Sequence, residues 1–406
     1  MAQTSSAVRA SGVSTEDRLS SLPDALLHTI MSFLKARQAV QTCVLSRRWV
    51  DLWCTMPCLD IDQRELDDTA PACLSLIDRE TDETGRFVDF VHGLLMFYGG
   101  ASLDTFKFHI SRDYYDGIID RCLCRGIKYC PGVLEICSAY GHDIHPTYEL
   151  PHLGSGSCRL ERMHIAGIRL DKSFTLHLRS GCPILEDLEI KRCHIAYPEF
   201  ISCTLKNLTI EDCETYCGNM VTVTAPGLLS FRLFFLAIEL RGILVTEMPA
   251  LVKASICFHP DPCGLSSPEG SCRLLGSLIN VSSLELSGSE TLSILHHGWD
   301  SFPTFPNLRT LLFSGCDLSH SFQILAPNLE RLTLQHCKVA YGSSKRKKGG
   351  HPKTMSLKGQ NILTFECPDL KWTEIKYTEG NIQPLFDLLS GIWSNLQEST
   401  IMLTKA

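Results

Sequence analysis

The chain has 406 residues, enough for two or more domains, with 44% hydrophobic and 20% charged residues. A net charge of −7 gives no basis for general affinity for nucleic acid. No apolar run has the length of a membrane span; the run Leu233–Ile238 is stopped by Arg232 and Glu239. The N-terminus lacks the apolar segment of a signal peptide, so the expectation is a cytoplasmic and/or nuclear protein with no membrane partner. Twenty cysteines in a reducing compartment argue against a disulfide framework, and no C-x-x-C occurs.

Residues 1–16 are rich in Ser, Ala and Thr and are expected to be a disordered tail. Residues 17–62 carry three short helical patterns. The first holds Leu22, Leu26, Leu27, Ile30, Phe33 and Leu34 at three- and four-residue steps, expected to line one face. Pro23 suits a first-turn position, where its missing amide costs nothing. Lys35 and Arg37 follow the helix end, where positive charge suits the dipole. A second helix holds Val40, Cys43 and Val44. Ser46 suits the N-cap of a third, which carries Trp49, Leu52 and Trp53 and ends at Pro57. Three helices in so short a stretch make a marginal core, with more large apolar side chains than that core uses. A protein-binding face is therefore expected here.

This stretch resembles the F-box through Leu19, Leu22, Pro23, Leu26, Ile30, Phe33, Leu34, Val40, Cys43 and the run Val44-Leu-Ser-Arg-Arg-Trp49-x-x-Leu52-Trp53. The run is similar to the form expanded in plants. The resemblance implies docking to a Skp-family adaptor, and through it to a cullin, within a ubiquitin ligase. It implies adaptor contacts from Leu19, Leu22, Pro23, Leu26, Ile30, Leu34, Val44, Leu45 and Trp49.

Residues 63–100 read as an acidic connector and a capping helix, the latter marked by Phe87, Phe90, Val91, Leu94, Leu95 and Tyr98. A strand-like Leu103-x-x-Phe106-x-Phe108 follows. The order R-F-V-D-F-V then L-x-x-F-x-F resembles the opening of the repeat domain in plant F-box/leucine-rich-repeat proteins.

Residues 101–406 repeat the template L-x-x-L-x-L. Copies stand at Leu160/Met163/Ile165, Leu185/Leu188/Ile190, Leu205/Leu208/Ile210, Leu228/Phe231/Leu233, Leu251/Ala254/Ile256, Val281/Leu284/Leu286, Leu308/Leu311/Phe313 and Leu329/Leu332/Leu334. Weaker copies are read at Leu134/Cys137/Ala139, Leu370/Thr373/Ile375 and Leu396/Ser399/Ile401. Each unit supplies one short strand whose apolar face only a stack buries. Cys193, Cys213, Cys316 and Cys337 each stand three residues after the last template position, where a polar group reaches the backbone. A basic loop at about residues 342–354 includes Lys345–Lys348, readable as a nuclear-import tag or a solvated insertion. The expected fold is α/β, α+β at the N-terminus: a three-helix F-box, then an irregular leucine-rich-repeat solenoid with a parallel β-sheet on its concave face.

Chemistry is sparse. Cys130, Cys137, His142 and His145 match no standard metal spacing, and Cys137 is expected to point into the repeat core. There is neither a G-x-S-x-G nor a P-loop, so no catalytic, cofactor or metal residues are assigned. The expected role is a non-enzymatic substrate receptor. Outward strand positions are the candidate substrate contacts: Glu186, Glu189, Lys206, Thr209, Arg309 and Arg331. A small-molecule co-receptor and a ubiquitin-independent scaffold are the alternatives.

Overall fold

The computed structural model describes residues 19, 21–67, 76–100, 102–111, 118–138, 150, 158–197, 199–215, 221–236, 243–246, 248–259, 274–289, 291–292, 303–318, 323–338, 364–377 and 400–405. The chain opens with helices α1 (Asp24–Met31), α2 (Ala36–Gln41) and α3 (Arg47–Cys54), with a 3-10 turn over Thr42–Val44 between the last two. The single stripe expected on the first helix is divided. Leu27 and Met31 are fully buried, while Leu26, Ile30 and Phe33 are exposed. A unit this small covers one side of α1 only.

Pro23 lies at the N-cap of α1 with φ −58 and ψ 148, not in the first turn as expected. Its carbonyl accepts the amides of Leu26 and Leu27, so the helix starts from an oxygen that proline retains. Ser46 takes the N-cap place before α3 but makes no side-chain capping bond. Arg48 supplies the local staple instead, donating to the Leu22 carbonyl at 2.7 Å and to Asp24 Oδ1 at 3.0 Å through Nε.

Strand β1 (Cys58–Asp62) follows at once and pairs in parallel with β2 (Thr105–Ile110), so the sheet begins inside residues 17–62. Between them lie α4 (Arg64–Asp67) and α5 (Leu76–Phe97). The stripe read on the second of these helices is inward: Phe87, Val91, Leu94, Leu95 and the following Tyr98 are buried, and Phe90 is partly so. The Phe87 ring sits 5.8 Å from that of Phe108, and the Tyr98 hydroxyl donates to the Met56 carbonyl at 2.9 Å. Helix, junction and sheet therefore share one core.

Among the described residues the main sheet has thirteen strands, all parallel and following one another in chain order, with intervening short strands in smaller sheets. After β3 (Val133–Ser138) and β4 (Arg162–Ala166) the strands run from Asp187–Lys191 to Thr400–Lys405. The template positions align across it: Met163, Leu188, Leu208, Phe231, Ala254, Leu284, Leu311, Leu332 and Thr373 form one buried row. Leu59, Phe106 and Leu134 extend that row toward the N-terminus.

Two weak copies are framed differently from the reading. Leu134 pairs with Met163 and Ile136 with Ile165, so Cys137 faces away from the core instead of into it. Side chains alternate along a strand, so this three-residue change of frame, being odd, reverses every face. At the last strand Ile401 pairs with Thr373 and Leu403 with Ile375, moving that copy on by two residues.

Two further periodicities follow the same repeat. The carbonyl before each strand accepts the two amides that open the next: Pro57, Asp104, Gly132, Glu161 and Glu186 begin a row that continues to Glu330. Two residues after the last inward position the backbone takes a positive φ, at Gly167, Arg192, Asp212, Gly288, Gly315 and His336. The four template cysteines reach back as expected. The thiols of Cys193, Cys213, Cys316 and Cys337 donate to the carbonyls of Ile165, Ile190, Leu286 and Phe313, at 3.6, 3.6, 3.2 and 3.4 Å.

Candidate docking faces

Two surfaces are built by this fold. The first is the outer side of the helical unit. Phe33 is 85% exposed and Val44 is 88% exposed, with Leu19, Leu26, Ile30, Leu45 and Pro23 also open. Burial of these side chains would be worth about 1.5–3 kcal/mol apiece, so leaving them in water is costly. The other residues assigned to adaptor contact are placed differently. Leu22 and Leu34 are partly buried against the core, and Trp49 lies inside it at 2% exposure. Phe33, which fits the motif but stands outside the nine assigned contacts, is among the most open apolar side chains. Its accessibility follows from the divided stripe of α1, which periodicity alone does not resolve.

The unit is anchored to the sheet through one carboxylate. Asp62, at the end of β1, has its side chain only 1% exposed and accepts from Lys35 at the start of α2. It also accepts from Arg64, at 3.0 Å from the amide, 3.0 Å from Nε and 2.8 Å from a terminal nitrogen. Burial alone would raise this carboxyl, but the donors on Arg64 and Lys35 outweigh it and hold the group well below the usual carboxylate range. Arg37 donates to the Glu65 carbonyl alongside.

The second surface is the sheet face opposite the core. The six residues assigned to it fall in two separate places. Glu189 and Thr209 pair on neighbouring strands, whereas Glu186 and Lys206 lie immediately before those strands, and Arg309 likewise precedes its own, so these three are not strand positions as expected. There Lys206 pairs with Glu186, while Lys191 bridges Glu189 at 2.7 Å and Glu211 at 3.2 Å. His164 Nδ1 lies 3.5 Å from Glu189. Arg309 and Arg331 lie further along the sheet. Arg309 pairs with Glu330 at 3.3 Å, and the Arg331 guanidinium stacks over Trp372 at 5.7 Å. His142, His145 and the basic loop fall outside the described residues.

A helical unit joined by a shared core to a long parallel sheet presents two candidate docking faces. The F-box domain family matches residues 19–60. The rice (Oryza sativa subsp. japonica) protein MEIOTIC F-BOX protein MOF is 33% identical over 403 residues, covering 92% of this chain and 82% of its own. An FBD-associated F-box protein of Arabidopsis thaliana is 29% identical, covering 81% of this chain and 78% of its own. A putative F-box/LRR-repeat protein of the same plant is 26% identical over 80% of this chain and 79% of its own. No solved structure matches. The chain belongs to the plant F-box/leucine-rich-repeat family. F-box domains, as a class, are docking modules for Skp-type adaptors.

Proposed function

We propose that this protein is the substrate-recognition subunit of a Skp–cullin–F-box ubiquitin ligase. The observation that carries the reading is the exposure of large apolar side chains in the helical unit, Phe33 and Val44 above all. The Skp adaptor covers that face and links the chain to a cullin. Leu19, Leu22, Pro23, Leu26, Ile30, Leu34 and Leu45 complete the contact, and Trp49 contributes from within by setting the angle of α3. The sheet is the inner wall of an irregular leucine-rich-repeat arc, and its open face holds the protein to be ubiquitinated. The receptor raises the local concentration and fixes the orientation of its target, so no residue of this chain touches the isopeptide chemistry. It acts in the cytoplasm, the nucleus or both, in keeping with the free thiols of the described cysteines.

Co-purification with a Skp adaptor tests this. Phe33→Ala with Val44→Ala is the cleanest variant, because both side chains are already in water and their loss leaves stability within about 0.5 kcal/mol. Each truncation removes roughly 2 kcal/mol of binding if these are central contacts. Wild-type protein that retains no adaptor, or a double variant that binds as wild type does, defeats the proposal.

A further inference from the structure

The true frame of β3 turns Cys137 onto the open face of the sheet, beside apt chemical neighbours. On that face β1 presents Asp60, β2 presents Lys107 and His109, and β3 presents Glu135 and Cys137. One donor atom from each of His109, Glu135 and Cys137 lies within 4.8 Å of the other two. His109 Nε2 stands 3.9 Å from Glu135 Oε1 and 3.6 Å from Asp60 Oδ1. Tetrahedral zinc with one thiolate, and bonds of about 2.0–2.3 Å, holds its ligands roughly 3.3–3.6 Å apart, so closure by up to about 1.5 Å completes the set.

Acidic and basic groups both face this point: Lys107 and Lys35 stand near Asp60, and Arg64 and Arg192 stand near Cys137. Lys107 Nζ lies 3.3 Å from Glu135 Oε2, leaving Oε1 for the side of the imidazole. Asp60 Oδ1 is buried and has no hydrogen-bond donor among the described residues, with His109, Lys107 and Lys35 as its nearby cationic or polar neighbours. Side chains of His109 and Glu135 are mostly buried yet still reached by solvent. We propose that His109, Glu135 and Cys137 bind a divalent transition metal, zinc by its ligand set, with Asp60 the next donor within reach. A thiol and an imidazole select zinc over calcium or magnesium, which take oxygen ligands. Binding exchanges metal–water bonds for bonds to sulfur, nitrogen and oxygen. The thiol proton passes to solvent, and nothing is oxidised or reduced. The ion ties β2 to β3 beside β1, the strand that leads directly from the docking helices.

The test is a cobalt(II) titration of the full-length chain after chelator stripping. One equivalent should produce a thiolate-to-cobalt charge-transfer band in the near ultraviolet and the visible bands of a four-coordinate ion, both bleached by zinc. Cys137→Ser should abolish the charge-transfer band. The nearly isosteric Glu135→Gln, and His109→Gln, should weaken cobalt binding by at least about 10-fold, the least that loss of a group merely supporting a metal ligand costs. Cys158→Ser, an exposed thiol elsewhere, should titrate as wild type. Circular dichroism establishes that each variant is folded. A folded wild-type chain without the band at stoichiometric cobalt overturns the proposal, as does a band that persists in Cys137→Ser.

Discussion

Asp62→Asn tests how the docking unit is held to the sheet. The Asp62 side chain is 1% exposed, whereas those of Lys35 and Arg64 are 38% and 65% exposed. The amide keeps one acceptor for the Arg64 backbone and Nε but turns an NH2 toward the remaining donors of Arg64 and Lys35. Two hydrogen bonds to a charged acceptor are lost, each worth about 1.5–3 kcal/mol. Both cations are open enough to be rehydrated, which returns part of that loss. The net cost should be about 2–3 kcal/mol at neutral pH. The pH dependence has a definite sign. The folded carboxyl titrates below the unfolded one, so its stabilisation is complete above the unfolded pKa of about 3.9 and fades as pH falls toward the folded value. Below about pH 4 the wild type should lose roughly 1.4 kcal/mol per pH unit through this group, and the Asp62→Asn variant should not. Urea unfolding of both chains between pH 7 and pH 3 measures the difference. A cost under about 0.5 kcal/mol at pH 7, or a gap that stays constant from pH 5 to pH 3, refutes the account.

Other substitutions probe the repeat itself. Thr373 stands in the buried row at 0% exposure, and its hydroxyl has no hydrogen-bond partner among the described residues. Thr373→Val removes an unpaired polar group at nearly constant volume and should raise stability by about 1–2 kcal/mol in a denaturant melt; a lower midpoint contradicts this. Gly315 has φ +65 with open space where a Cβ would go. Gly315→Ala should therefore cost about 1–2 kcal/mol through backbone conformation alone, read from the shift in the same midpoint. Gly126 on α6 (Ile118–Ile127) is a packing case, since an added Cβ would fall 2.2 Å from the Phe106 ring. Gly126→Ala should destabilise by about 1–3 kcal/mol by displacing a fully buried ring. An unchanged thermal midpoint would mean the helix lifts away at no cost.

The repeat was legible because its information is local. Leu308/Leu311/Phe313 and its like alternate along single strands, and each is buried as its spacing requires. The reach of Cys193, Cys213, Cys316 and Cys337 to the backbone followed from the same spacing. The helical unit could likewise be named from Leu19 to Trp53 without coordinates. In a weak copy, spacing does not choose between frames two or three residues apart. It puts Cys137 and Ile401 in the wrong row, because only pairing with the strands of Met163 and Thr373 selects the frame.

Which apolar side chains of the docking unit are spare was also decided in three dimensions. Helical periodicity treats Leu26, Leu27, Ile30 and Phe33 alike; packing of α1 against α3 buries Leu27 and leaves the other three in water. The approach of His109, Glu135 and Cys137 has the same origin. These residues are separated in the chain by a helix and lie on adjoining strands, so their donor atoms meet only through sheet register. Composition and periodicity determined that this protein has a short helical unit and a stack of strands, because both depend on contacts between near neighbours in sequence. The tertiary structure decided which side chains those strands place together, because register is a property of two strands and never of one.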